Sequence, residues 1–156
     1  MAKQHERTLA RQLAVQALYM SLITDESADV LLAQDPELPD VGHLPEYAKL
    51  LVAGAAEHTE SIDEKLAEAS ENWSVERMPI VDHVILLLAC YEMLYEESVP
   101  VSVAINEAVE LAKSFGGEDD SARFVNGLLG RIARTYCADR IVDKCTDGAP
   151  DVLMED

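Results

Sequence analysis

The chain has 156 residues and a formal net charge of −18, with 12 Lys and Arg against 30 Asp and Glu. That length suits one domain with a sizeable core, and the net charge taken as a whole argues against nucleic-acid binding. No apolar run is long enough to span a bilayer and no signal-peptide core is present, so a soluble, cytoplasmic protein is expected. Ala, Leu and Glu dominate with little β-branched alternation, which predicts an all-α fold.

The first helix is predicted over Lys3 to Thr24. At about 100° per residue, Leu9, Leu13, Ala17 and Met20 share an apolar arc, while Arg7, Thr8, Arg11 and Tyr19 lie broadly opposite with Gln12 and Gln16 at the edge. Tyr19 on the polar arc is available to stack on a base, or alternatively lies over neighbouring helices with its hydroxyl in water. Residues 25–45 carry Asp-Pro, Leu-Pro-Asp and Val-Gly and read as a long acidic connection. Helices follow over Pro45 to Thr59 and Ser61 to Ser70, then Trp73 and Arg77. Pro79 opens a long helix reaching Tyr95 that buries Val84, Leu87, Leu88 and Tyr91.

In the next helix Ile105, Ala108, Val109 and Ala112 form an apolar stripe, with Glu107 and Glu110 outside it. Lys113 sits in the last turn, where a cation suits the helix dipole, and Gly116-Gly117 end the helix. Ser114-Phe-Gly-Gly117 reads as a plain helix stop or as backbone N–H groups able to hold a phosphate. Asp120 or Ser121 can cap a final helix with Phe124, Leu128 and Ile132 on one face. Gly127 and Gly130 inside it each cost about 1 kcal/mol relative to Ala, which the close approach of another helix would offset. Asn126 is a poor interior helix former and points to a polar contact with a ligand or partner. Beyond Tyr136 the sequence turns acidic, giving an expected domain over 1–138 and a flexible acidic tail over 139–156.

Charge is unevenly spread. Residues 1–24 hold three basic and one acidic side chain, a net of +2, and residues 113–137 a net of +1. Residues 25–112 between them carry a net of −17. If the two exceptional segments fold side by side they form one near-neutral to basic patch, and the acidic remainder suits a basic protein partner. Catalytic motifs are lacking: no G-x-S-x-G, P-loop, H-E-x-x-H or G-x-G-x-x-G occurs. Cys90, Cys137 and Cys145 form no C-x-x-C pair and read as unpaired thiols. The scattered His residues offer no ligand spacing, so neither metal nor cofactor is expected, and no enzyme.

Four segments carry a family resemblance. Arg7-x-x-x-Arg11-x-x-Ala14-Val-Gln-Ala-Leu-Tyr19, Trp73-x-x-x-Arg77, Ile85-Leu-Leu-Leu-Ala-Cys-Tyr91-Glu92, and the pair Ile105-Asn-Glu-Ala-Val-Glu-Leu-Ala-Lys-Ser-Phe-Gly116 with Phe124-Val-Asn-Gly127 occur in this order. Their sequence and spacing from about residue 7 to 136 resemble the NusB family of bacterial transcription antitermination factors. The resemblance implies a compact bundle of six or seven helices in two small subdomains, with helix one beside the Phe-Val-Asn-Gly helix. It also implies binding of boxA-type single-stranded RNA in nascent ribosomal transcripts, together with the ribosomal protein NusE, as part of an RNA polymerase antitermination complex. Candidate RNA-binding residues are Arg7, Arg11, Gln16, Tyr19, Lys113, Arg123, Phe124 and Asn126, which supply cations, aromatic faces and amides. Candidate NusE-binding residues are Asp82, Tyr91, Glu92 and Glu107. Leu87 departs from the family's I-L-R-x-A-x-Y-E pattern, where Arg is usual. Glu118-Asp-Asp120 would oppose RNA unless paired or used in capping. Two other readings stay open: a helical protein-binding module without RNA affinity, and a stand-alone relative of the RNA-binding domain of ribosomal RNA cytosine methyltransferases. A homodimer also stays open.

Overall fold

The computed structural model describes residues 2–34, 42–70, 78–116 and 119–138. These comprise seven α-helices: α1 (Ala2–Thr24), α2 (Ala28–Gln34), α3 (Glu46–Glu57), α4 (Thr59–Ala69), α5 (Ile80–Tyr95), α6 (Val101–Leu111) and α7 (Asp119–Tyr136). A π-helical turn, Ala112–Gly116, extends α6. Trp73, Arg77, Cys145 and the expected tail over 139–156 lie outside the described residues. No described helix is long and apolar enough to cross a membrane.

The fold is organised around α5. From Val84 to Cys90 its sequence is apolar on every face, and these residues are all buried. A helix apolar all round has to be enclosed. Here α1 and α3 pack on α5 and on each other, with α2 against both; α6 and α7 pack on α5 and on each other, with α4 against α7. The two groups of helices thus share one central helix, whose fully buried aliphatic side chains contribute about 1.5–3 kcal/mol each. Leu87, at the position of the family's Arg, is 1% exposed and is one of these core side chains. Tyr91 is half-buried, and its ring lies directly over Gly54 of α3, in the space a Cβ would need. There the glycine is what lets α3 and α5 approach.

Four expectations change. The buried face of α1 is not the arc through Leu9 and Met20, which are 47% and 37% exposed. It runs through Ala10, Leu13, Ala14, Ala17, Leu18 and Ser21. Alanines, not the largest side chains, define this face because they let α3 and α5 come close. The connection after α1 contains α2, anchored by buried Ala28 and Leu31 and capped by Ser27, whose Oγ accepts the Val30 N–H at 3.2 Å. Finally, α1 and α7 do not form a packed pair; α5 and the π turn lie between them. Gly127 is also not a close-approach site, since a Cβ there would meet nothing within 4 Å.

Candidate nucleic-acid interface

The two ends of α1 have different surroundings. At the first, Arg11 is 4% exposed, and its Nε donates to both carboxylate oxygens of Glu92 at 2.9 and 3.0 Å. Its Nη1 donates to Glu107 Oε1 at 3.2 Å, and Thr8 Oγ1 donates to the same oxygen at 2.8 Å. The Tyr47 hydroxyl donates to Glu92 Oε2, and the Arg7 guanidinium lies 4.4 Å from the centre of the Tyr47 ring. Side chains of α1, α3, α5 and α6 therefore meet in one charged knot. Burial works against the Arg11 charge, but Glu92 and Glu107 outweigh it and hold the guanidinium protonated. Burial first, then the Glu92 charge, keeps the Tyr47 phenol neutral well above its usual range.

This corrects two expectations together. Arg11 and Glu92, placed by their residue types on an RNA face and a partner face, are each other's buried ion pair. Glu107 is drawn into the same knot, with its side chain 18% exposed. Tyr91 belongs to a ring stack with His58 and Tyr95, at centroid separations of 6.1 and 5.5 Å. Asp82 is 4% exposed. As a set, Asp82, Tyr91, Glu92 and Glu107 are buried or half-buried.

The second end of α1 is open. Gln16 and Tyr19, with Met20 and Ile23, form one wall of a cleft of about 380 Å³ whose other wall is Val81 of α5 and Phe115 of the π turn. Tyr19 is 38% and Phe115 37% exposed, so two aromatic rings from distant parts of the chain border one apolar slot. The π turn is what sets Phe115 there: its wider winding replaces the α6 pattern from Ala112 to Gly116, and such turns recur at functional sites. In the sequence this segment read as a helix stop, and Phe115 was absent from the candidate residues. An aromatic just before Gly-Gly was the signal available. Lys113 shares the turn and forms an exposed pair with Glu110 at 3.6 Å.

Across the first turn of α5 lies a second cleft, about 410 Å³, lined by Pro79, Asp82, Asp120, Ser121, Arg123 and Phe124. Because Val81 and Asp82 are adjacent, the two clefts share that turn as a common wall. Ser121 Oγ donates to Asp82 Oδ2 at 3.3 Å rather than capping α7. Burial pushes the Asp82 carboxyl above its ordinary value, only partly countered by Ser121. Arg123 is exposed; Phe124 and Asn126 are half-buried on the same part of α7. The structure thus brings Gln16, Tyr19, Arg123 and Phe124 around one stretch of surface and adds Phe115 to it. Arg7 lies about 18 Å from Tyr19 along α1, against Tyr47.

Among the described residues no group of three or more His, Cys, Asp or Glu could hold a metal ion. Both described thiols are buried; burial raises the Cys90 pKa, and Cys137 Sγ contacts the Met93 carbonyl at 3.7 Å. The fold and its open face define a small all-α binding module, with aromatic, amide and cationic groups presented along one edge. A family model described as the NusB family matches residues 8–134. The transcription antitermination protein NusB of Saccharopolyspora erythraea is 46% identical over 128 residues, covering 81% of this chain and 86% of that protein. Among solved structures, T. maritima NusB is 32% identical with a TM-score of 0.71, covering 82% of this chain and 90% of its own. A structure of the antitermination factors NusB and NusE in complex with dsRNA aligns with a TM-score of 0.67 at 26% identity, covering 87% of this chain and all of that one. The chain belongs to the NusB family, a family of transcription antitermination factors and not of enzymes.

Proposed function

We propose that this protein is a transcription antitermination factor that binds boxA-type single-stranded RNA in nascent ribosomal transcripts, acting with the ribosomal protein NusE on RNA polymerase in the cytoplasm. The observation that carries the RNA reading is the apolar slot between Tyr19 and Phe115, flanked by Gln16 on one side and by Arg123 and Phe124 across the α5 turn. Unstacked bases enter such a slot and stack on exposed rings, worth about 1–3 kcal/mol per base. Gln16 and Asn126 offer donors and acceptors for base edges. Arg123 and Lys113 meet phosphates.

Arg123 stands beside Asp82 and Asp120, and Lys113 is paired with Glu110, so the face is close to neutral. Electrostatic affinity scales with the number of phosphates neutralised, and the protein alone therefore binds RNA weakly with a shallow salt dependence. NusE supplies the remainder. The acidic body of the chain, rather than Glu92 or Glu107, is the surface complementary to a basic partner.

The test is fluorescence anisotropy of labelled boxA RNA against a scrambled control, with and without NusE. Preferential boxA binding, strengthened by NusE and weakened by Tyr19→Ala or Phe115→Ala, is the expected result. Equal or absent binding of both RNAs with NusE present would leave a protein-only module.

A further inference from the structure

A second cationic site lies at the opposite end of α7 from the clefts above. Lys65, Glu68 and Ala69 of α4 and Arg131, Arg134 and Tyr136 of α7 border a pocket of about 300 Å³. The chain carries 30 acidic side chains against 12 basic ones, yet among the described residues lining this pocket three are cations and one is a carboxylate. Their positions are set by neighbours. Arg131 Nη1 donates to the Ala69 carbonyl at 2.8 Å, at the C-terminal end of α4 where a cation is favoured. That uses one of five guanidinium donors. Lys65 Nζ donates to Ser61 Oγ at 3.0 Å and sits 5.2 Å from the centre of the Tyr136 ring. Tyr136 is 41% exposed, and its hydroxyl donates to Glu68 Oε1 at 3.3 Å. Glu68 is thus held by a tyrosine.

Helix α7 also fixes how this pocket relates to the first face. Arg123 and Arg134, both exposed, are three turns apart, which places them about 20° apart around the helix and about 16 Å apart along it. One side of one rigid rod therefore carries a cation at each end. An RNA strand stacked at about 3.4 Å per nucleotide covers that distance in roughly five nucleotides. We propose that Lys65, Arg131 and Arg134 form a second phosphate site, which takes the backbone of the same RNA strand where it runs beyond the boxA-type segment. Tyr136 adds an exposed ring beside it. This rests on the reading of the Tyr19–Phe115 face as the primary RNA site. The second site is electrostatic and reads no sequence; its role is to distinguish a long transcript from a short fragment.

The test uses the full chain and two RNAs, a boxA-type core alone and the same core extended by about ten nucleotides at either end. Anisotropy is measured for the wild type and for a Lys65→Gln, Arg134→Gln double variant, which leaves the Arg131 cap intact. The wild type is expected to bind the extended RNA about tenfold more tightly than the core, with a steeper salt dependence. The double variant is expected to bind the core like the wild type and to lose the gain from the extension. An extension that adds nothing in the wild type, or a gain that survives the double substitution, overturns the proposal while core binding leaves the primary site standing. Failure of the wild type to bind the core even with NusE added overturns the primary reading and this one with it. Inorganic phosphate is titrated separately by NMR. Perturbation around Arg131 and Lys65 without any gain from the RNA extension would identify a free-anion pocket and overturn the RNA assignment.

Discussion

The two ends of α1 carry similar credentials in the sequence and opposite ones in the fold. Arg7 and Arg11 are cations on the polar arc of a helix that resembles an RNA-binding one, yet Arg11 is enclosed by Glu92 and Glu107, and Arg7 lies over Tyr47. Three turns on, Tyr19 and Gln16 face an open slot. What separates them is what the other helices bring. At the first end α5 and α6 supply one buried and one half-buried carboxylate, which pair with the guanidinium; at the second, α5 supplies Val81 and the π turn supplies Phe115, which leave polar and aromatic groups facing the slot. Residue type shows what a side chain is able to do. The partners provided by distant segments decide whether it holds the fold together or reaches outward.

This comparison is open to direct attack. The largest effect is expected at the buried end: Arg11→Ala leaves Glu92 uncompensated and should cost about 3–5 kcal/mol of stability, read as a large fall in the urea midpoint. A variant that unfolds at the wild-type midpoint but loses RNA would restore Arg11 to the RNA face. Gly54→Ala should cost roughly 1–3 kcal/mol, because a Cβ must displace the Tyr91 ring; pairing it with Tyr91→Leu should recover part of that loss in the same unfolding assay. At the open end the pattern reverses. Phe115→Ala or Tyr19→Ala should leave the thermal midpoint almost unchanged and weaken boxA RNA by about 1–3 kcal/mol each. Arg123→Gln should weaken all RNAs alike and reduce the salt slope by about 1.

The smallest effect concerns Asp82, whose carboxyl titrates above its ordinary value because of burial. A raised acid binds more protons in the folded state than in the unfolded one, so its contribution to stability rises as pH falls through that interval. Above it the buried charge is a net cost. Asp82→Asn should therefore raise stability slightly at neutral pH and remove this part of the pH dependence, while keeping an acceptor for Ser121 Oγ. Urea midpoints at neutral and mildly acidic pH show both changes.

Much of the architecture was legible because it depends on local signals. The all-round apolar character of α5 marks a central helix, and Pro45 and Pro79 mark the starts of α3 and α5 to within a residue. The α2 helix was hidden by the proline-rich, acidic segment around it, although Ser27 followed by Ala28 and Leu31 held a cap and a buried pair. The register of α1 is hard to read because the alanines that pack carry little hydrophobic weight beside the exposed Leu9 and Met20. For the proposed site, Tyr19, Gln16, Arg123 and Phe124 are candidates that residue type and family resemblance already offer. Phe115 was not, because a π turn is a matter of hydrogen-bond geometry with no side-chain period to announce it. Arg11 and Glu92 lie 81 residues apart, and no local pattern shows that they meet.

The most direct test of the account is photocross-linking of boxA RNA carrying 5-iodouridine at successive positions, followed by peptide mapping of the adducts in the presence of NusE. The account predicts adducts at Tyr19 and Phe115, from nucleotides close together in the RNA. Adducts confined to Tyr47, or to Tyr91 and Tyr95, would place the bases elsewhere on the molecule and contradict it.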